Sequence, residues 1–246
     1  MPYQLTGDID VNTQVGVILP TYCEAQNIEG LITEIEKLRL GTSILVIDDS
    51  SPDKTAEIVK NLQKKYSDIL LCVRPRKSGL GTAITDGFRI YLSLRNMPKR
   101  IFTMDADYSH DPKAIPLLMQ SMQTGVGVVV GSRYCPGGNM AGWSWTRKVI
   151  SRTANLAANS IVGLKVHDCT SGFRCYYTEF LKSAIDSLHS QTFEIQIETL
   201  KQAVSRGFGV AEVPILFVNR KRGKSKFTSA EIQSYASYVL KTAKKG

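Results

Sequence analysis

The chain has 246 residues, 43% of them hydrophobic and 22% charged, with five cysteines and a formal net charge of +9. That length can bury a sizeable core, and the composition excludes a disordered, collagen-like or disulfide-dense protein. No apolar run approaches the ~18–20 residues of a membrane span, and no basic-then-apolar leader opens the chain, so reduced thiols in a cytosolic setting are expected.

Apolar runs at 15–19, 43–47, 69–73, 100–104 and 126–130 read as buried strands, and helical patterns lie between them near 26–38, 53–65, 80–95 and 112–123. Strands of this kind alternating with helices predict a single α/β domain, a Rossmann-like and largely parallel sheet covered on both faces. Ligands of such sheets bind beyond the carboxyl ends of the strands. The second half predicts a helix over 146–163 with an apolar stripe of Val149, Ile150, Ala154, Ala157, Ile161 and Val162, then a helix near 193–206. A strand follows over 210–218, where Pro214 favours a sheet edge. A basic loop over 219–226 leads to a last amphipathic helix over 229–244.

The positive charge is localised. Residues 219–246 hold eight Lys or Arg against Glu231 alone, and residues 139–165 hold four with no acid. Such clustering points to an anionic partner on one face: a phosphorylated substrate, membrane headgroups or nucleic acid. Trp143 and Trp145, just ahead of the 146–163 helix, suit either a membrane interface or the core.

Four polar clusters sit at strand ends. Pro20-Thr21-Tyr22-Cys23-Glu24 follows the first strand, and Asp48-Asp49 with Ser51, Asp53 and Thr55 follows the second. Each alone reads as a turn with a helix cap, Asp53 or Ser51 serving as the cap; together they suit a nucleoside pocket. Arg74-Pro75-Arg76-Lys77-Ser78-Gly79-Leu80-Gly81 is a basic glycine-containing loop. Ile84 stands at the third glycine's position of a dinucleotide fingerprint and no strand leads directly into the first glycine, which excludes a Rossmann NAD site, and the loop is not a Walker A loop. The fourth cluster, Asp105-Ala106-Asp107-Tyr108-Ser109, opens like an EF-hand but places Pro116 where the closing Glu belongs. Two carboxylates one residue apart beside phosphates suit Mg²⁺ or Mn²⁺. Asp111-Pro112 reads as a helix start. His167, Cys169 and Cys175 match no zinc spacing, and no G-x-S-x-G elbow occurs.

In order, PTYCEAQNI, VIDDSSPDKT, RKSGLGTA, MDADYSHDP, GSRY and DCTSGFRCY resemble family-two glycosyltransferases of the GT-A fold, and more narrowly the dolichyl-phosphate mannosyltransferases, from about Val15 to Lys226. The resemblance implies a catalytic domain over 1–226, with 227–246 a basic helix belonging to it or facing a membrane. It implies transfer of mannose from GDP-mannose to a dolichyl or polyprenyl phosphate, metal-dependent and inverting. Pro20, Tyr22, Glu24, Asp49, Lys77, Gly79, Asp105 and Ala106 would then bind the nucleotide, and Asp105, Asp107 and Ser109 the metal. Arg133, Arg147 and Ser151 would hold the acceptor phosphate, Gln196 and Glu198 would lie near the sugar, and Arg220 and Lys226 would close over phosphates. Asp107, Arg133 and Gln196 are the residues implied for the chemical step. Lys54 stands where the family often has Gly, and Cys23 where it often has Asn.

The same resemblance implies peripheral attachment to the cytosolic face of a membrane, directly or through a small anchoring subunit. A UDP-sugar donor carrying glucose or N-acetylglucosamine stays open, as does a nucleotidyltransferase. A nucleic-acid-binding module is the reading from another class, although no RNP, helix-turn-helix or finger pattern supports one.

Overall fold

The computed structural model describes residues 3–9, 13–220 and Tyr238. In chain order these form β1 (Gln4–Thr6), β2 (Val15–Thr21), α1 (Ile28–Lys37), β3 (Thr42–Asp48), α2 (Thr55–Gln63), β4 (Ile69–Val73), α3 (Leu80–Ser93) and β5 (Arg100–Thr103). There follow α4 (Ile115–Gln120), β6 (Val126–Ser132), β7 (Asn139–Ala141), α5 (Trp145–Val162), β8 (Arg174–Tyr177), α6 (Thr178–Ala184), α7 (Ile195–Ser205), β9 (Gly209–Pro214) and β10 (Leu216–Val218).

Eight strands form one sheet in the order β1-β4-β3-β2-β5-β8-β6-β9. The run β4-β3-β2-β5 is parallel, whereas β1 and β8 are antiparallel to their neighbours. The order reverses at β2, which pairs with β3 on one side and β5 on the other. In an open α/β sheet the crevice at such a reversal, outside the strands' carboxyl ends, is where ligands bind. Alternation along the strands feeds two cores: Ile18, Leu45 and Ile47 pack with α3, α6 and α7, while Val15, Val17 and Leu19 pack with α1, α2 and α4. Helix α1 shows the underlying pattern, burying Ile28, Leu31, Ile32 and Ile35 at helical spacing.

One predicted element differs, and two more show detail that the pattern did not carry. The 210–218 strand is two strands, because β9 pairs with β6 at the sheet edge while β10 pairs with β7 in a separate two-stranded ribbon. Pro214 stands at the end of edge strand β9, where its missing N–H costs no ladder bond. The 112–123 helix opens as a short 3₁₀ turn at Pro112 with Asp111 capping Lys113, as its sequence predicts. Helix α5 is the third: Trp145, Val149 and Leu156 face outward, 76%, 42% and 55% exposed, and Ala154 and Ala157 are exposed too. Among the described residues Ala158 packs in the core beside two polar side chains. Asn155 and Asn159 are buried and donate to the carbonyls of His167 and Val166. The basic loop beyond Arg220 and the 229–244 helix lie outside the described residues, except Tyr238, which is helical and packs on the core.

Candidate active site

The loops after β2 and β3 are tied to each other by side-chain to backbone bonds. Ser51 accepts from the Cys23 N–H at 2.9 Å, Thr55 from the Glu24 N–H at 3.0 Å, and Asp53 from the Ala25 N–H at 3.0 Å. Asp48 is fully buried and accepts from Thr21 and Ser51, so it is a brace. Asp49, on the opposite side of the strand end, receives Arg74 Nε and Nη2 at 2.6 and 2.9 Å, a bidentate grip that fixes its carboxylate plane. Lys54 occupies the N-cap position of α2 without a side-chain cap bond, and Asp53 accepts from the N–H and hydroxyl of Thr55 at the helix start. Cys23, Ser50, Lys54 and Tyr108 all adopt positive φ, of 57°, 53°, 70° and 62°. Four left-handed non-glycine residues at three adjacent strand ends is strain collected at one place, about 1–2 kcal/mol each.

The basic loop after β4 is organised by packing. Gly79 has φ 100°, and a Cβ there would lie 2.3 Å from the Gln191 carbonyl oxygen, which also accepts from the Gly81 N–H at 2.9 Å. The glycines therefore admit the 189–192 loop, itself shaped by Glu198 and Glu194 accepting four backbone N–H groups of His189, Ser190, Gln191 and Thr192. Lys77 lies 5.3 Å over the Tyr22 ring.

At the end of β5, Asp107 accepts from the Ser109 N–H and hydroxyl at 3.0 and 2.5 Å, and its other oxygen meets Arg220 Nη2 at 2.9 Å. Ser109 thus supports Asp107 through the hydroxyl that the resemblance offers to a metal. Asp105 keeps a side chain 41% exposed, and its N–H donates to His110 Nδ1 at 3.1 Å. His110 is fully buried, stacked on Phe173 and edge-on to Phe217. Burial pushes its pKa down to about 4, with Asp107 opposing, so the imidazole is neutral and free to accept that bond.

Opposite these acids lies the basic side. Arg133 presents Nε and Nη2 to Asp168 at 2.8 and 2.9 Å, and Nη2 also reaches Thr170. Asp168 also accepts from the N–H groups of Arg133, Thr170 and Ser171. Burial alone would raise the Asp168 carboxyl, but the Arg133 charge and these bonds hold it below the ordinary range. Arg147 stacks 4.1 Å over Trp143, and Ser151 bonds the Tyr134 hydroxyl at 2.6 Å. Gln196 is buried with neither amide atom partnered among the described residues, 3.6 Å from where a Gly172 Cβ would sit; Asp105 Oδ1 is 3.5 Å from the same point.

One cavity of about 670 Å³ unites these groups. Pro20, Tyr22, Glu24, Asp49, Lys77, Gly79, Asp105, Ala106, Asp107, Arg133, Arg147, Ser151, Gln196 and Arg220 all line it. Ser109 lines an adjoining cavity of about 360 Å³ with Asp105, Asp107 and Arg220. Glu198 is turned into the 189–190 backbone, and Lys226 lies outside the described residues. Sequence reasoning missed Asp168, Arg74 and Phe217. Asp168 left a signal as the first residue of the DCTSG motif and Arg74 as the first residue of the basic loop, without its role; Phe217 left none.

Comparison with known proteins fits this geometry. Residues 16–195 match Glycosyl transferase family 2. The chain belongs to that family. This glycosyltransferase is 36% identical over 219 residues to a polyprenol monophosphomannose synthase of Mycolicibacterium smegmatis, covering 88% of this chain and 82% of that one. It is 32% identical over 216 residues to an undecaprenyl-phosphate mannosyltransferase of Micrococcus luteus, covering 87% and 88%. In fold it resembles glucosyl-3-phosphoglycerate synthase of Mycobacterium tuberculosis, solved with Mn²⁺, UDP and glucosyl-3-phosphoglycerate (TM-score 0.65, 19% identity, 94% of this chain and 78% of that one). The expected GT-A fold therefore holds.

The glycosyltransferase's residues fit a divalent cation. Asp105 and Asp107 offer hard oxygen donors on one loop, and the Asp107 carboxylate already carries a cation in the Arg220 guanidinium. Among the described residues no third acid, His or Cys joins them. That suits an ion such as Mg²⁺, bound through one or two carboxylates with its remaining ligands from substrate phosphates and water.

Proposed function

We propose that this glycosyltransferase moves mannose from GDP-mannose to the phosphate of dolichol or another polyprenol, with inversion at the anomeric carbon. The observation that carries the reading is the single cavity joining the strand-end residues to Arg133, Arg147 and Ser151. The named activities of the two mannosyltransferase relatives support the sugar and the acceptor class.

Pro20, Tyr22, Glu24, Asp49, Lys77, Gly79 and Ala106 bind the nucleoside end in this reading, with Arg74 fixing the Asp49 carboxylate. Asp105 and Asp107 hold Mg²⁺ or Mn²⁺, which supplies neutralising charge to the leaving diphosphate. Arg133 and Arg147, with Ser151, orient the acceptor phosphate. The unpartnered Gln196 amide meets a sugar hydroxyl or the transferring group. An acceptor phosphate oxygen attacks the anomeric carbon as the bond to the diphosphate breaks, and the electron pair leaves with the nucleoside diphosphate. A phosphate monoester is mostly dianionic near neutral pH, its second pKa being about 6, so the attack requires no general base.

No helix among the described residues is long and apolar enough to cross a membrane. The outward Trp145, Val149 and Leu156 of α5, with exposed Arg152 beside them, suit peripheral attachment to anionic headgroups on the cytosolic face.

The test is transfer of label to a short polyprenyl phosphate, with Mn²⁺ or Mg²⁺, from GDP-mannose, UDP-glucose or UDP-N-acetylglucosamine in separate tubes. Lipid-linked label from GDP-mannose alone, lost in Asp107→Ala and carrying an inverted anomer by NMR, is the expected result. Label from a UDP-sugar overturns the donor, and no lipid-linked sugar from any donor overturns the acceptor.

A further inference from the structure

Two residues beyond the cavity-lining Gln196, α7 buries a carboxylate that does not line the cavity. Glu198 accepts from the N–H of His189 at 3.0 and 3.2 Å and from that of Ser190 at 2.9 Å. Glu194 accepts from the next two N–H groups, those of Gln191 and Thr192, both at 3.1 Å. Carboxylates are strong acceptors, so two of them on four successive donors fix this loop more firmly than neutral partners would.

With its N–H groups given to these acids, the loop presents the Gln191 carbonyl to the start of α3. That oxygen accepts from the Gly81 N–H at 2.9 Å and the Thr82 N–H at 3.3 Å. The contact is backbone on backbone: a Cβ at Gly81 would lie 2.4 Å from the Ser190 carbonyl oxygen, and one at Gly79 2.3 Å from that of Gln191. No flexible side chain separates loop from helix there, so a shift of one is a shift of the other. Arg74 carries the contact onward. It donates to the Thr82 hydroxyl at 2.8 Å and the Gly79 carbonyl at 3.3 Å, and the same guanidinium grips Asp49. Gly79 and Asp49 line the cavity.

We propose that Glu198 is a positioning residue for nucleotide binding: through the 189–192 loop it sets the place of Gly79 and, by way of Thr82 and Arg74, the Asp49 carboxylate. The inference rests on the reading above that Asp49 and Gly79 bind the nucleoside end.

Calorimetric titration of the full chain with GDP, and separately with UDP, in the presence of Mn²⁺ and without acceptor tests it with no turnover. Glu198→Gln keeps the shape but turns an amide towards backbone donors. It should bind the nucleotide about tenfold more weakly than the parent and raise the donor KM, with the acceptor KM unchanged. Glu198→Asp, which keeps the charge one methylene short, should lie between, and it carries the test if the glutamine variant does not fold. Thr82→Val, which removes the hydroxyl that Arg74 reaches, should weaken binding too, and the double variant should lose less than the product of the two factors. Variants at Glu198 that melt lower yet bind nucleotide within about twofold of the parent confine the residue to folding and overturn the proposal. Acceptor and donor KM rising together, or losses that multiply in full, overturn it as well. Asp49→Asn separates this from the reading beneath: weakened binding there keeps the nucleoside pocket standing when the Glu198 variants bind normally. If Asp49→Asn binds like the parent, or the parent binds neither nucleotide, both fall.

Discussion

Asp168→Asn isolates the buried ion pair behind the cavity-lining Arg133. The carboxylate is fully buried and accepts from Arg133 Nε and Nη2 and from three backbone N–H groups. Asparagine keeps the shape but turns one acceptor into a donor facing other donors and leaves the Arg133 charge without its partner. Breaking a buried pair from one side costs about 3–5 kcal/mol. For a chain of this size each kcal/mol is about 2–4 °C of melting temperature, so a fall of roughly 6–20 °C is expected by circular dichroism at pH 7. Arg133 also loses its orientation, and the acceptor KM should rise while the donor KM stays. Combining the change with Arg133→Met should be milder than the sum of the two by about 2–3 kcal/mol, because the second change removes the orphaned charge. A single variant melting within about 2 °C of the parent, a shift worth ≲ 1 kcal/mol, with the acceptor KM intact, would refute the assignment of Asp168 as the group that holds Arg133.

Three further outcomes follow from particular contacts. Gln196→Leu removes two buried, unpartnered polar atoms; desolvating such groups costs about 1–3 kcal/mol, so the melting temperature should rise while kcat falls at least about a hundredfold. Lys54→Gly relieves a left-handed backbone at φ 70°. The relief of about 1–2 kcal/mol less the added unfolded-state entropy should leave a gain of about 0.5–1 kcal/mol in a thermal melt, with transfer activity unchanged. His110, with a folded pKa of about 4 against an ordinary 6.5, stays neutral where the unfolded chain takes up a proton. Stability should therefore fall by about 2 kcal/mol between pH 7 and pH 5 on this account, and urea unfolding of His110→Gln should show a flatter slope over that window. Asp168, depressed rather than raised, contributes its share above its ordinary carboxylate range and loses it only as the pH falls further through its folded pKa.

The parallel core of the sheet was legible because β2, β3, β4 and β5 are near-continuous apolar runs, buried on both faces. Strand β8 was not. It opens with Arg174, a residue no propensity places in a sheet interior, and its burial depends on carbonyls of Cys169, Ser171 and Gln196 brought in by the fold. The split at Ile215 was equally hidden, since it arises from β10 finding β7, a three-residue strand with no period of its own. In the site, sequence identified the acids but not their work. Asp48 and Asp49 are adjacent and chemically identical, yet opposite sides of a strand end give one to Thr21 and Ser51 and the other to Arg74. Asp168 finds Arg133 across 35 positions. For the 146–163 helix sequence left core and interface open; Val149, Ala154 and Ala157 of its stripe face outward, while buried Asn155 and Asn159 anchor the helix through the carbonyls of His167 and Val166.

The cavity is built so that its cations are held without being cancelled. Arg133 lines the cavity and is fixed by the bidentate Asp168 carboxylate behind it, while Arg74 stands behind the cavity-lining Asp49 and fixes that carboxylate in the same way, before any ligand arrives. Arg174 differs. It is fully buried and donates to the carbonyls of Cys169, Ser171 and Gln196 and to Thr199, with no ion pair among the described residues. A buried charge answered only by neutral dipoles is expensive, and a methionine of similar length would remove that expense. What methionine cannot do is bind three carbonyls at once. Those carbonyls belong to the 169–172 segment and to Gln196, whose amide nitrogen lies 3.6 Å from where a Gly172 Cβ would sit, so the guanidinium ties two neighbouring parts of the cavity lining together. The unpartnered Gln196 amide is kept facing the cavity by a bond to its own backbone carbonyl, made by a residue that does not line the cavity. Preorganisation here is carried by the second layer of arginines, and the polar groups left unsatisfied in front of them mark where a ligand must complete the network.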